Sequence, residues 1–410
     1  MRILFVANYP DQPTGYARIA NVLSNFLASL PNTVVYYFGF NNHLDTKLNR
    51  FVHPDIQFFD VIQESKNRGS TEVFGKDLIV AYIEEIKPDI LFIYNDIIVT
   101  CNLFNSLLAI KKKLPYKTIT YLDLVYEYEK PEYVRHVDRN SDSILVFSEC
   151  WKNNLIDMGV SPDKIGILHH GLDTEHFYTV DTLVAREQIR LPPNDFLVLN
   201  TNSNTYRKAH DISIRAFLQF LKRRGCPPDI KMMMNCALNT KAGYNIISLI
   251  ETECMRLSLP FERIINTNFI TIKPEGKLDD RTLNLLYNAC DIGINTAVGE
   301  GFGLCNLEHA SVGKPQIVAR VGGLKDIFSD ENSLLIRPIC SLAVANHTDD
   351  HGGLIEICKS DDFANAIEKY YSDRVQRITH GNNVQLHVVE TYNWDNILKR
   401  LQRFITRFSK

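Results

Sequence analysis

The sequence has no long apolar run, no cysteine pairing pattern and no large excess of charge of either sign. No stretch approaches the ~18 consecutive apolar residues that a membrane span needs. The opening run Ile3–Ala7 is too short for a signal-peptide core and gives way to Asn8-Tyr9-Pro10-Asp11. The nine cysteines are odd in number, scattered, and form no CxxC pair. That excludes a secreted disulfide framework and points to reduced thiols in a reducing compartment. A formal net charge of −3 excludes nucleic-acid binding by bulk charge. The turn after the first apolar run lacks a GxGxxG fingerprint, which argues against an NAD-dependent dehydrogenase. His169, His170 and His309 have no metal-ligand spacing such as HExxH, so no catalytic metal is expected. Together these absences predict a cytoplasmic chain, soluble or touching a membrane only peripherally. Two basic stretches bear on the second option, Ala109–Lys113 and the amphipathic segment Trp394–Phe408, although a solvated basic face explains both.

What is present is length and rhythm. A chain of 410 residues, 45% hydrophobic, is too long for one ordinary core and predicts two domains. Short β-rich runs alternate with amphipathic segments. In the first half the strands are expected at Ile3–Ala7, Val34–Phe38, Ile56–Phe59, Ile90–Tyr94, Thr118–Leu122, Ser143–Phe147 and Ile165–Leu168. Helices are expected at Ala17–Leu30, Phe74–Ile86 and Asn102–Leu114. After an interruption at Gly171–Pro193 the rhythm restarts, with strands at Phe196–Asn200, Ile230–Met234, Phe269–Ile272, Asp291–Asn295 and Gln316–Ala319. This predicts an α/β protein built from two doubly wound parallel sheets facing across a cleft. The expected domains are 1–172 and 173–393, with a helix over about 394–410 packing back on the first.

The most informative segment is Glu300-Gly301-Phe302-Gly303-Leu304-Cys305-Asn306-Leu307-Glu308, between a strand and a helix. Its glycines let the backbone approach a ligand closely. Free N–H groups at the coming helix start suit a phosphate or a sugar hydroxyl. Ionised carboxylates accept hydrogen bonds from sugar and ribose hydroxyls. Glu300 precedes the helix and Glu308 lies about one turn inside it, so the two address different parts of an extended ligand. By itself the segment reads equally as a glycine-rich turn with two solvated glutamates.

With its surroundings, the segment resembles retaining glycosyltransferases of GT-B fold, specifically glycosyltransferase family four (group 1). Glu300 to Glu308 matches that family's Glu-x7-Glu motif. Leu286–Asp291, Gly313-Lys314-Pro315 and Gly322-Gly323 match its flanks, and Ser148-Glu149, Met158–Val160 and His170–Phe177 match the segment ahead of its interdomain linker. The resemblance implies a hexosyltransferase acting on a nucleoside-diphosphate-sugar, with no cofactor. Glu300 would contact the transferred sugar. Gly301, Phe302, Gly303 and Leu304 would hold sugar and diphosphate, and Glu308 the ribose diol. Arg207 and Lys208, which alone read as solvated residues at a helix start, match the family's basic pair and would neutralise the leaving diphosphate. Gly15 matches the loop after the first strand, and Thr271 lies on the strand where the base meets backbone. Asp123 stands where many members have a His and is a candidate for the acceptor side. Ser203 and Asn202 stand where many members have an Arg. Cys305 replaces the usual Pro, and His309 the usual Ala. Asn202–Lys208 with Asp211 looks like mannosyltransferase-like members, which favours GDP-mannose over a UDP-sugar. The acceptor is left open as a glycan, lipid or protein glycan. A sugar-nucleotide epimerase and an inactive sugar-nucleotide-binding module stand as alternatives.

Overall fold

The computed structural model describes all residues except 13, 43–49, 112, 273–277, 345–350 and 409–410. Lys112, within the basic stretch Ala109–Lys113, lies outside the described residues. The chain divides into two compact units. One comprises Met1–Gly171, Val344–Gly353 and Trp394–Lys410; the other comprises Leu172–Ala343 and Leu354–Asn393.

In the first unit the strands are β1 (Arg2–Asn8), β2 (Val34–Phe40), β3 (Gln57–Asp60), β4 (Ile90–Asp96), β5 (Lys117–Asp123), the short β6 (Glu127–Glu129), β7 (Ser143–Val146) and β8 (Ile165–Ile167). Seven of them form one sheet in the order β3-β2-β1-β4-β5-β7-β8, with every pairing parallel. The central strands are runs of apolar residues because helices cover both faces of a parallel sheet. Ile3 to Val6 pair with Ile90 to Ile93, and all eight side chains are buried. Each such side chain contributes about 1.5–3 kcal/mol by leaving water. Helix starts are set by side-chain caps: Thr14 accepts from the Ala17 N–H at the helix Gly15–Ser29, and Asp96 from the Val99 N–H at the helix Ile97–Leu107. The final helix, Trp394–Thr406, buries Ile397, Leu401 and Ile405 along one face. Its Trp394 ring lies on Gly171, where a Cβ would come within 2.2 Å of the indole.

The second unit holds β9 (Phe196–Asn200), β10 (Ile230–Asn235), β11 (Phe269–Ile272), β12 (Ile292–Asn295), β13 (Gln316–Ala319), β14 (Leu334–Ile336), β15 (Cys340–Ala343) and most of β16 (Gly352–Ile357). Six form a second parallel sheet, ordered β11-β10-β9-β12-β13-β14. β15 and β16 pair as an antiparallel hairpin. The two main sheets wind alike. Each begins in the middle, runs outward to one edge, then returns to the other side of its first strand. The reversals fall between β1 and β4 and between β9 and β12, the points where open α/β sheets bind ligands beyond their carboxyl ends. Among the described residues no helix is long and apolar enough to cross a membrane.

Two helix expectations need correcting. The helix expected over Asn102–Leu114 runs Ile97–Leu107, because the Asp96 cap outweighs the low helix propensity of Ile97-Ile98-Val99-Thr100. The one expected over Phe74–Ile86 begins at Ile79, after Gly75 in a left-handed conformation. The hairpin β15–β16 was not expected.

Candidate nucleotide-sugar site

The loops that follow β9 and β12 leave the second sheet on either side of its reversal. Between them they bring Arg207, Lys208 and Glu300 together. The first loop ends in a 3-10 turn, Tyr206–Lys208, closed by Ala209 at a left-handed φ of 46° before the helix His210–Arg223 begins. The second loop is tied to that turn. Val298 N–H donates to the Arg207 carbonyl (2.9 Å), and the Thr296 hydroxyl donates to the carbonyls of Lys208 (3.2 Å) and Ala209 (2.9 Å).

The side chains then meet. The Lys208 ammonium donates to Glu300 Oε2, and Arg207 Nη1 lies 3.5 Å from Glu300 Oε1 while donating to the Gly299 carbonyl at 2.6 Å. Lys208 and Glu300 are each only 6% exposed. Arg207 is half-buried. Burial on its own would raise the Glu300 pKa. The Lys208 ammonium, then the Arg207 guanidinium, outweigh it and hold the carboxyl at about 2. Asn295 Nδ2 adds a hydrogen bond to Oε2 at 3.3 Å and donates to Asn306 Oδ1 at 2.7 Å; Asn306 Nδ2 donates in turn to Gln316 Oε1 at 2.8 Å. The carboxylate is thus fixed by two cations on one side and a relay of amides on the other. A buried ion pair is weak evidence for stability, since desolvation offsets most of its attraction. Its placement beside a glycine loop at a sheet reversal has a better explanation as charge set ready for a ligand.

The glycine loop is shaped by its neighbours. Gly303 has φ 97° and caps the helix Leu304–Ser311; a Cβ there would lie 2.5 Å from Leu324 Cδ2. Gly323 N–H holds the Glu300 carbonyl at 3.0 Å, and a Cβ on Gly323 would strike the Gly301 oxygen at 2.3 Å. Phe302 is buried, edge-on to Tyr392 at 5.5 Å, so its side chain anchors the loop. Leu304 is the first helical residue and half-buried. Glu308 lies in the second turn, 7% exposed, and accepts from the Tyr287 hydroxyl at 2.9 Å. The Tyr287 ring stacks on His309 at 5.1 Å. Burial, then the Lys314 charge, lowers the His309 pKa to about 3, so His309 is a neutral packing residue. Burial raises the pKa of Cys305.

The remaining expected residues are carried by other elements. Thr271 is half-buried on β11, the edge strand of the second sheet, opposite Met234. Gly15 starts the helix Gly15–Ser29 in the first unit, and Asp123 ends β5 there, hydrogen-bonded to the Tyr16 hydroxyl. The reading of Glu300 and Glu308 as solvated glutamates does not hold, because both are buried and partnered. Sequence reasoning missed Asn295, Asn306, Tyr287 and Thr296. Asn295 had one legible sign, a polar residue closing an apolar strand.

Two parallel sheets of this winding define the GT-B fold, and solved structures agree. Sucrose-phosphate synthase from Thermosynechococcus elongatus superposes with a TM-score of 0.74 at 16% identity, over 99% of this chain and 98% of its own. Anabaena HepE, solved with UDP and glucose, gives 0.72 at 17% identity over 99% and 100%. The description "Family 4 Glycosyltransferase in conflict systems" matches residues 260–401. Among curated proteins, an uncharacterized glycosyltransferase of Methanocaldococcus jannaschii is 23% identical over 63% of this chain and 58% of its own length. A D-inositol 3-phosphate glycosyltransferase of Catenulispora acidiphila is 26% identical over 43% of this chain and 39% of its own. The chain therefore spans less than two thirds of the length of either relative. The resemblance read from the sequence is borne out to this extent: the chain has the GT-B fold, and its residues 260–401 match a family-four glycosyltransferase model.

Proposed function

We propose that the protein transfers a hexosyl group, with retention of configuration, from a nucleoside-diphosphate-hexose to a hydroxyl acceptor. The observation that carries the reading is the buried Lys208–Glu300 pair, flanked by Arg207 and set at the mouth of the Gly301–Leu304 loop. In this reading the diphosphate lies on the N–H groups at the helix start, with Lys208 and Arg207 beside it. As the glycosidic bond breaks, charge grows on the departing diphosphate, and fixed cations stabilise it without reorganising. Glu300, ionised at any physiological pH, orients the sugar hydroxyls and offsets positive charge developing at the anomeric carbon. Glu308 holds the ribose diol. The departing diphosphate itself takes the proton of the incoming hydroxyl, so no dedicated base is required, and the two cations do the work a metal ion would otherwise do.

GDP-mannose is the favoured donor, from the likeness of Asn202–Lys208 and Asp211 to mannosyltransferase-like sequences. UDP-glucose is the competitor to test against it, since HepE is described in complex with UDP-glucose. A thermal-shift panel of nucleotides and nucleotide-sugars decides, because a ligand that binds only the folded state raises Tm. The reading expects the largest shift with one diphosphate-sugar, persistence of that shift in EDTA, and a product of unchanged anomeric configuration. An inverted product, or conversion of the donor alone into an epimer, overturns it.

A further inference from the structure

On the other side of the Tyr206–Lys208 turn the second unit contains a pocket of about 570 Å³ that none of the donor-site roles uses. Its size falls within the range of small-molecule sites, which are mostly apolar with a few convergent polar groups. The helix starts at His210 and Ser360 and the hairpin β15–β16 contribute its lining. Two features are unusual. Tyr206 and Ile339, both lining residues, are 57% and 54% exposed. Tyr206 also stands edge-to-face with Tyr244, ring centroids 5.0 Å apart, so two aromatic surfaces meet at an angle of 70°.

The polar groups narrow the ligand class. Two carboxylates, Asp211 and Asp361, and two cations, Arg215 and Lys359, line the same pocket. An anion would meet the carboxylates, and a cation the arginine and lysine. Arg215 is already paired with Glu253 at 2.8 Å and Asp361 with Arg223 at 3.3 Å, so a purely apolar ligand would strip water chiefly from Asp211 and Lys359. A neutral polyhydroxylated ring satisfies these two, since its hydroxyls can donate to a carboxylate and accept from an ammonium. Its C–H faces cover the tyrosine rings, and its hydroxyl edges reach the rim. Asp211 is already oriented for this: its Oδ1 accepts from the Tyr244 hydroxyl at 2.9 Å, which leaves Oδ2 for a ligand.

We propose that this pocket is a second sugar-binding site, taking one neutral hexose residue of a glycan against Tyr206, Tyr244 and Asp211. The site is wired to the donor cluster through backbone. Tyr206 leads directly into Arg207 and Lys208. Val298, also in the pocket, donates to the Arg207 carbonyl and accepts from the Glu356 N–H at 2.8 Å. A hexose seated there bears on the segment that positions both cations. Coupling between the two sites, if energetic, must be reciprocal.

The test is calorimetric titration, checked by saturation-transfer NMR, with mannose, glucose and their α-linked disaccharides. Inorganic phosphate serves as an anionic control. Wild type is compared with Tyr206→Ala, which removes an exposed platform, and Ile339→Trp, which fills the pocket from its rim. Glu308→Ala separates this site from the donor site. The expected result is saturable sugar binding, weakened about tenfold or more by each pocket variant with that variant's Tm unaltered, and unchanged in Glu308→Ala. Sugar binding that ignores both pocket substitutions overturns the proposal, as does phosphate binding that competes with it. Loss of sugar binding in Glu308→Ala alone would move the sugar to the donor site and also overturn it. Should no nucleotide-sugar bind anywhere while Tyr206-dependent sugar binding persists, the transfer reading falls and this site stands.

Discussion

Two buried carboxylates, one in each unit, show how differently the two sheets are equipped. Glu129 in the first unit is 1% exposed, and Glu300 in the second 6%. Glu129 is held by neutral donors, the N–H groups of Val125 (2.9 Å) and Tyr126 (3.3 Å), and by His351 at 3.3 Å. Burial dominates, and its pKa is raised despite them. Glu300 faces two permanent cations and is driven the other way. The same contrast runs along the carboxyl ends of the sheets. The first unit gathers Tyr16, Tyr94, Tyr121 and His170 in ring contact, with burial lowering the His170 pKa to about 3. The second gathers a carboxylate, an ammonium and a guanidinium. The winding is shared, so the fold does not dictate the chemistry. The charge set at the reversal does.

The contrast breaks most sharply at position 300. Glu300→Ala strands a buried ammonium and is expected to cost about 3–5 kcal/mol of stability. It should also lower turnover by roughly 10²-fold or more. Asp123→Ala, which in the first unit removes the partner of the Tyr16 hydroxyl, should cost about 1 kcal/mol. Denaturant melts of the two variants make the comparison, and equal losses would erase the distinction between the units. Next in size is Gly303→Ala. With φ at 97° and Leu324 in the way, it should cost about 1–3 kcal/mol and weaken donor binding, read by urea titration and calorimetry. Glu308→Ala should then lose about 1.5–3 kcal/mol of donor affinity, and Tyr287→Phe about 1, with kcat less affected than donor binding.

The last comparison is the most discriminating, because it predicts opposite signs. Glu300 has a folded pKa of about 2 against an ordinary 4.5. Its contribution is complete above the ordinary value and is lost as pH falls toward 2. For Glu129 the folded pKa is the higher one. Its contribution is present below the ordinary value and lost as pH rises through the raised one. Between about pH 5 and pH 3, the stability gap between wild type and Glu300→Gln should shrink, while that for Glu129→Gln should move in favour of wild type. Gaps that move in parallel would show the two environments to be equivalent.

The parallel cores were legible because buried strands read as unbroken apolar runs. β1, β4, β9 and β12 lie within a few residues of where Ile3–Ala7, Ile90–Tyr94, Phe196–Asn200 and Asp291–Asn295 placed them. The hairpin β15–β16 was not, because Cys340–Ala343 is exposed on every residue and carries no alternation. The helix from Ile97 was obscured by β-branched residues that favour strands when considered locally. At the site, Glu300, Lys208 and Arg207 stood out by resemblance, and the glycines by their chemistry. Asn295, Asn306 and Tyr287 did not, because what matters about them is whom they touch. An asparagine closing a strand has no mark in sequence that says it will hold a carboxylate five residues on.

The most direct measurement is a crystal structure with an intact nucleotide-sugar bound. The account predicts the diphosphate on the N–H groups of Phe302–Leu304 beside Lys208 and Arg207, the hexose against Glu300 and the ribose diol on Glu308. A nucleotide bound away from the β9–β12 reversal, or seated there with Glu300 and Glu308 both turned from it, would contradict it.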